Sequence, residues 1–357
     1  MGSLMRGEAA SQQVSESALG PHTEGATMKK KTSTKSHAKK KVSGLPPSAL
    51  ELIGPQINEL LENNPDLTIG DLQALFASMI GPSPHDDLND AEADARSEAN
   101  LLALDAMEAD SDIQARKLAK RALKLDPDCV DALLLLADLD ARTPLELIEA
   151  RKKAVSAGKR SLGERFIREN KGYFWGLLET RPYMRAMERL ADMLRLTGIA
   201  LDAIQLYEEM LELNPNDNQG IRYPLLGLYL ETGDLKNAGR LLKKYKGDPS
   251  ANMAWARVLL RFLSGDLEGA TASLQMARYA NRYVELYLTL RKELPREMPE
   301  MYELGSDEEA VLCLTYLSGA WAKQIEAGRW LVNQLFAESK TSHEKALRPS
   351  RRPRGEK

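Results

Sequence analysis

The sequence predicts an all-α solenoid in which antiparallel helix pairs stack side by side. From about residue 91 to residue 280, one helical pattern follows another and no alternating strand pattern appears. Glycines spaced 35 and 32 residues apart recur in this stretch, each followed five residues later by an alanine. A proline recurs after the second helix of a pair. These positions are Gly198, Gly233 and Gly265; Ala203, Ala238 and Ala270; and Pro127, Pro215 and Pro249.

The recurring positions share one physical explanation. Glycine ends the first helix of a pair in a left-handed conformation, which residues with a Cβ atom rarely adopt. Alanine is small, so it lets the second helix approach the first closely. Proline stops the second helix because it lacks a backbone N–H. The spacing therefore predicts helix hairpins with a period of about 34 residues.

The pattern resembles the tetratricopeptide repeat (TPR) family. Copies cover residues 184–217, 219–250 and 251–280, and a weaker copy ends near Pro127. The matching residues are Ala115, Ala122 and Pro127; Leu190, Ala191, Leu194, Gly198, Ala203, Tyr207 and Pro215; Leu225, Tyr229, Gly233, Ala238 and Pro249; and Gly265, Ala270 and Ala277. The resemblance implies helix pairs stacked into a right-handed superhelix with a concave groove. Pro224 falls inside a first helix and should kink it, unless that helix begins later.

A narrower resemblance covers roughly residues 90–335. The stretches "ENKGYFWGLLETRPYMRAMERLADMLRLTG", "NPNDNQGIRY" and "NRYVELYLTLRKELPREMPEMYELGSDEEAVLCLTYLSGAWAK" look like bacterial TPR proteins related to the suppressor-of-tumorigenicity-7 family. Eukaryotic members of that family are membrane-associated, whereas this sequence has no apolar run of about 18 residues. The resemblance supports the fold and implies no reaction.

The charge distribution divides the chain into basic ends and an acidic middle. Residues 1–47 carry eight Lys and Arg against three Glu, and residues 340–357 carry seven against two, so each end has a net charge of +5. The formal total is -3, which leaves -13 for the segment between them. An acidic body argues against a nucleic-acid surface, which needs clustered basic residues. Nucleic acid or ribosomes therefore remain an alternative partner only through the basic tails.

Composition and the positions of the glycine and proline residues predict six segments. Residues 1–47 read as a disordered basic tail, with Met28 as an alternative start, and residues 48–82 as a small two-helix unit. A linker at 83–90 leads to TPR-like repeats at 91–280, which are interrupted by an aromatic insertion at 160–182. Residues 281–339 read as a C-terminal helical cap, and 340–357 as a second disordered basic tail.

The insertion contains "ENKGYFWGLLETRPYMR", with four aromatic residues in seventeen positions. Exposing Tyr173, Phe174 and Trp175 together would create an aggregation-prone patch. We therefore expect at least two of the three to be buried and to fill the gap left by an irregular repeat. A ligand site is the alternative interpretation.

Eight residues are candidates for a partner-binding groove. They are Asn170, Arg181, Tyr183, Arg185, Asn218, Arg222, Tyr223 and Trp255. Arg181 and Arg185 lie four apart on one helical face. They could bind a carboxylate or phosphate of a partner, or pair with Glu179 and Glu188.

Catalytic and metal-binding residues are not evident. All four histidines, His22, His37, His85 and His343, fall in the tails or the linker, so Cys129 and Cys313 have no histidine base nearby in sequence. No phosphate-binding glycine motif or paired-cysteine motif appears. The sequence thus predicts a cytoplasmic, non-enzymatic scaffold without cofactor, which binds a protein or peptide and does not insert into a membrane. An enzyme is the least favoured alternative.

Overall fold

Helix hairpins make up most of the described part of the chain, as the repeat pattern predicts. The structure is a computed structural model that describes residues 89–347. The helices of this part are α1 (Asp90–Met107), α2 (Asp112–Leu125), α3 (Val130–Asp140), α4 (Pro144–Leu162), α5 (Glu164–Glu169), α6 (Arg181–Leu196), α7 (Ala200–Leu213), α8 (Arg222–Thr232), α9 (Leu235–Lys244), α10 (Ala251–Leu263), α11 (Leu267–Ala280), α12 (Tyr283–Leu288), α13 (Asp307–Ala322) and α14 (Ile325–Leu347). No strand occurs among these residues. The predictions for 1–47, 48–82, most of the linker and 348–357 lie outside them.

Five hairpins form the TPR-like solenoid. The pairs are α1–α2, α3–α4, α6–α7, α8–α9 and α10–α11, and each packs against the next. Gly198, Gly233 and Gly265 all have φ between 77° and 79°, in the left-handed region. The three alanines that follow them, Ala203, Ala238 and Ala270, are fully buried. The sequence prediction for these turns is therefore confirmed.

Two proposed helix boundaries differ from expectation. Thr143, Pro144 and Glu146 fit the N-cap, first and third positions of a helix, and the sequence predicts that this helix ends at Gly158. The helix does begin after Thr143, but it continues to Leu162. Gly158 lies within α4, where a Cβ atom would come within 2.7 Å of the Tyr183 ring, so glycine here permits close packing rather than ending a helix. Pro224 is the third residue of α8, in the first turn, where a missing N–H breaks no helical hydrogen bond. The expected kink is absent because the helix begins later.

The insertion fills the interval between α4 and α6 with α5 and two short 3₁₀ turns, Phe174–Gly176 and Leu178–Thr180. Phe174 is fully buried, Trp175 is half-buried and Tyr173 is 77% exposed. The expectation that at least two of these rings would be buried is therefore wrong. Successive side chains of a 3₁₀ turn point in directions about a third of a turn apart, so only one of three neighbours can face the core.

The C-terminal region begins with an irregular segment and ends with two helices. No helix forms between Thr289 and Ser306, which agrees with the two prolines in this stretch. Ser306 caps α13 by accepting a hydrogen bond from the backbone N–H of Glu309 at 3.2 Å. Helix α14 continues to Leu347, past residue 340, where the sequence predicts that the second basic tail begins.

Helix α13 packs across α8 and α10 instead of covering only the end of the array. At the crossing with α8, a Cβ atom on Gly227 would lie 2.1 Å from the carbonyl oxygen of Tyr316, so the two backbones approach as closely as glycine permits. The Trp321 ring of α13 meets the buried Trp255 ring of α10 edge-on, at 6.4 Å between centroids. The expected cap is thus part of the main core.

A buried carboxylate ties α13 to the hairpin before it. Glu309 is 4% exposed and accepts hydrogen bonds from the backbone N–H of Ala251 at 2.8 Å and of Gly305 at 2.7 Å. The side-chain amide of Asn281 donates a third, at 2.9 Å. Ala251 is the first residue of α10, so the charge also meets the positive end of that helix.

Candidate functional site

In each hairpin, the first helix has one side that is turned away from the second helix. We call this side of α3, α6, α8 and α10 the first-helix face. Most of the predicted groove residues lie on these helices or on the turns that lead into them. For two of those residues, the prediction that they line the groove is wrong. Trp255 is 0% exposed and donates its ring N–H to the carbonyl oxygen of Asn281 at 3.0 Å, and Tyr183 is 3% exposed beside Gly158. Helical spacing alone did not show that both rings face the core.

Two other candidates are held by local contacts at the insertion. The side-chain amide of Asn170 donates to the carbonyl oxygen of Phe166 at 3.0 Å and caps α5. The Arg181 guanidinium lies 5.1 Å from the centre of the Trp175 ring and donates to the Trp175 carbonyl at 3.3 Å. Burial, and then the neighbouring Arg185, lower the pKa of Arg181. Arg181 therefore stabilises the insertion, and its expected partner Glu179 does not pair with it.

Arg185 belongs to a row of ion pairs between α3 and α6. Its guanidinium donates to both carboxylate oxygens of Asp131, at 2.6 and 3.2 Å. One turn further along α6, Arg189 donates to Asp138 at 2.8 Å, and Arg151 of α4 donates to the same carboxylate at 2.9 Å. These pairs fix the two first helices side by side. The alternative partner Glu188 is not bound by Arg185.

Asn218, Arg222 and Tyr223 come together at the turn before α8. Asp217 has a φ of 53° and accepts hydrogen bonds from the backbone N–H groups of Ile221 at 2.7 Å and Arg222 at 3.0 Å. Arg222 bridges Asp217 at 2.8 Å and Asp248 at 2.6 Å, while the Tyr223 hydroxyl donates to Asp248 at 2.9 Å. This network is internally satisfied, and Asn218 is exposed at its edge.

Glu188 and Asp192 lie one turn apart on α6, on the side that faces α8. Burial, with a further contribution from Asp192, raises the pKa of Glu188 to about 7. The Gln219 side-chain amide opposes this shift by donating to Glu188 at 2.5 Å. Asp192 accepts a hydrogen bond from the Tyr207 hydroxyl at 2.5 Å. Neither carboxylate was a predicted site residue, because their neighbours come from distant parts of the chain.

Helix α13 covers the first-helix face at α8 and α10, and this cover ends at α6. Tyr316 stacks on Tyr223 with the ring centroids 6.4 Å apart. Arg195, in the last turn of α6, lies 5.4 Å from the Tyr316 ring and donates to the carbonyl oxygen of Thr315 at 3.2 Å. Tyr223, a predicted groove residue, is therefore in contact with the chain's own helix.

The face remains accessible at α3 and α6. The side chains of Asp138, Arg185, Arg189 and Asp192 are 37% to 41% exposed, although each has a polar partner. Leu196, one turn after Asp192, is 70% exposed. This part of the first-helix face combines charged side chains with one apolar side chain. We call these five residues the open face.

Groups for covalent or metal chemistry do not converge in the described part of the chain. Cys129 and Cys313 are buried free thiols, and burial raises the pKa of Cys129 to about 11. Residues 89–347 contain no group of three or more side chains arranged to hold a metal ion. In that same range, no helix is long and apolar enough to cross a membrane.

Comparisons with known proteins add little to this description. A scan against protein-family models finds no match, and a search of curated proteins finds none either. Among solved structures, the chain is similar to PilF of Pseudomonas aeruginosa at 22% sequence identity and a TM-score of 0.28. The match covers 53% of this chain and 93% of that one. The fold assignment therefore rests on the helix hairpins themselves, and the resemblance to the suppressor-of-tumorigenicity-7 family stays a prediction.

Proposed function

We propose that the protein is a non-enzymatic scaffold, and that a helical or extended segment of a protein partner binds its open face. The observation that carries this proposal is the position of α13. The first-helix face of α8 and α10 already accommodates one helix, and the same face continues onto α6 and α3 without a covering helix among the described residues. A partner segment on the open face would extend the arrangement that α13 begins.

The chemistry of the open face differs from the groove predicted from sequence. The predicted groove residues include three aromatic residues, but Tyr183 and Trp255 are buried and Tyr223 is covered by Tyr316. Leu196 is the exposed apolar contact, and charges of both signs surround it. A partner segment with a central apolar residue and flanking charged residues fits this arrangement.

A photo-crosslinking experiment tests the proposal in the full-length protein. The crosslinking amino acid p-benzoylphenylalanine replaces Leu196 on α6 or, as a matched control, Leu201 on α7, which is also 70% exposed. In cells that naturally make the protein, we expect position 196 to form a defined adduct with a second protein and position 201 to form none. In a separate pair of variants, Leu196→Asp should weaken capture of that partner at least tenfold, whereas Leu201→Asp should not.

Two results would overturn the proposal. One is the absence of any protein adduct at position 196 while the protein is present at its normal level. The other is the same set of adducts from both positions, because a specific surface must distinguish the first helix from the second.

A further inference from the structure

A row of cations without a partner among the described residues, which we call the basic row, lies on α2, at the other end of the array from α13. Lys117, Lys120, Arg121 and Lys124 are exposed, and their spacing places them on one side of the helix. None of the four forms an ion pair or a hydrogen bond with the described residues. A surface depression of about 450 Å³ has these side chains in its lining, together with Ile113, which is 80% exposed.

This arrangement is unfavourable for α2 alone. Lys117 and Arg121 are like charges four residues apart, as are Lys120 and Lys124, and two further pairs are three residues apart. Like charges at these spacings are neighbours on the helix surface, and their repulsion destabilises the helix. The other cation of this helix, Arg116, is paired, since its Nε atom lies 2.7 Å from a carboxylate oxygen of Asp140. An anionic partner would relieve the repulsion among the other four.

An apolar cleft adjoins the basic row. It has a volume of about 280 Å³, with its floor on α3 and one wall on α4. The lining residues are Leu133, Leu136, Ala137, Asp140, Ala141, Glu146, Ala150 and Lys153. Arg116 lines the depression along α2 and its partner Asp140 lines the cleft, so the two surfaces meet at this ion pair.

We propose that this combined surface, from the basic row of α2 to the cleft on α3 and α4, binds an acidic amphipathic segment of a protein partner. Carboxylates of the segment would contact the four unpaired cations. Its apolar side chains would enter the cleft and cover Ile113. The surface is separate from the open face, and the proposal does not depend on what binds there.

The same surface is a poor fit for nucleic acid. The four cations span eight residues of helix, with about 10 Å between the first and the last at 1.5 Å per residue, whereas a nucleic-acid strand needs a longer basic track. None of the described residues that line the cleft is aromatic, so a base would have no ring on which to stack. A short acidic amphipathic peptide can instead place its carboxylates along α2 and its apolar side chains in the cleft.

Fluorescence anisotropy with the full-length protein tests the proposal. The probe is a labelled 18-residue peptide with Leu at helical spacing and Glu elsewhere, compared with the same peptide carrying Ser for Leu, and with a 20-nucleotide oligouridylate. We expect the Leu–Glu peptide to bind, to weaken as salt increases, and to bind at least tenfold more tightly than the Ser–Glu peptide. The Ser–Glu comparison reports the contribution of the apolar cleft.

Charge reversal identifies the surface. Lys120→Glu with Lys124→Glu should weaken peptide binding at least tenfold. Lys236→Glu with Lys243→Glu makes the same change in net charge at two exposed residues of α9 and should leave binding within twofold. Three results would overturn the proposal: no peptide binding at 100 μM protein, equal losses in both double variants, or oligouridylate binding that exceeds peptide binding and disappears on reversal in α2.

Discussion

Glu188 is a residue whose charge changes near neutral pH. Its carboxylate lies between Asp192 on its own helix and Gln219 in the turn before α8, and burial is the largest cause of its raised pKa of about 7. An ordinary glutamate ionises near pH 4.5. The protonated form of Glu188 is therefore favoured by folding, and ionisation at higher pH opposes it.

The stability of the protein should consequently fall as pH rises through 7 in a way that depends on Glu188. The contribution of the raised pKa is complete below about pH 4.5 and is lost by about pH 8, and by linkage it amounts to at most about 3 kcal/mol. Glu188→Gln removes the titration and keeps an oxygen for Gln219. We expect the free energy of unfolding of this variant, measured with urea from pH 5 to 8, to fall less than that of the wild type.

Glu164→Gln is the control for this measurement, because the Glu164 side chain is 84% exposed. Its stability should follow the wild-type pH profile. Parallel profiles for wild type and Glu188→Gln would show that Glu188 does not ionise in this pH range.

Sequence reasoning at the residue scale found exposed charges but not their partners. The four-residue spacing of Arg181 and Arg185 correctly placed both on one helix, and nearby glutamates were the natural candidates for ion pairs. The observed partner of Arg185 is Asp131, which is 54 residues earlier in the chain. A helical pattern specifies which side chains share a face, but it does not specify which neighbouring helix meets that face.

At the scale of elements, the crossing of α8 and α13 depends on the absence of a side chain at Gly227. Alanine there would normally stabilise a helix by up to about 1 kcal/mol relative to glycine. In this structure its Cβ atom would lie 2.1 Å from the backbone oxygen of Tyr316, so α13 would have to move away from α8. We expect Gly227→Ala to lower the free energy of unfolding by about 1–3 kcal/mol, measured by chemical denaturation.

Gly239→Ala in α9 provides a matched control. Its Cβ atom would meet only the side chain of Leu260, at 3.8 Å, which is an ordinary contact. This variant should be as stable as the wild type or more stable. A stabilising effect of Gly227→Ala would contradict the close crossing of α8 and α13.

The elements themselves were predictable where local rules determine them. The types and spacing of Thr143, Pro144 and Glu146 predict the start of a helix, and Thr143 does accept a hydrogen bond from the backbone N–H of Glu146 at 3.2 Å. The insertion was harder because each of its 3₁₀ turns is only three residues long, too short for a hydrophobic period to separate buried from exposed neighbours. Phe174 and Tyr173 are adjacent aromatic residues with opposite environments, and composition does not distinguish them.

For the whole molecule, the array of hairpins follows from a repeat of about 34 residues, whereas the return of α13 does not. Repeat arrays are held together by contacts between neighbours, so short-range patterns are enough to predict them. The contact between Tyr316 and Tyr223 joins residues 93 positions apart and has no counterpart in the repeat. In the C-terminal half of the array, the single helix α13 therefore contacts two successive first helices, α8 and α10.

This difference between the two halves should appear as a difference in local stability. The buried residues of the core between α1, α2 and the start of α3 are six alanines with Leu102 and Cys129, against which four partly buried leucines pack. This core is separate from the large core that extends from Ile148 to Leu331. Alanine methyl groups bury little apolar area, at roughly 25 cal/mol per Å². We therefore expect amide hydrogen exchange, followed by mass spectrometry on the full-length protein, to be faster in α1 and α2 than in α8, α10 and α13.

Two core substitutions make this expectation specific to the architecture. Leu102→Ala should accelerate exchange in α1, α2 and the start of α3 but not in α8 to α13, because its contacts end at the small core. Leu226→Ala, at a fully buried position of α8, should accelerate exchange from α8 through α13 together, since α13 couples these helices across the intervening chain. If Leu226→Ala affected only α8 and α9, the C-terminal half would behave as a simple series of hairpins, and α13 would not be the element that joins them.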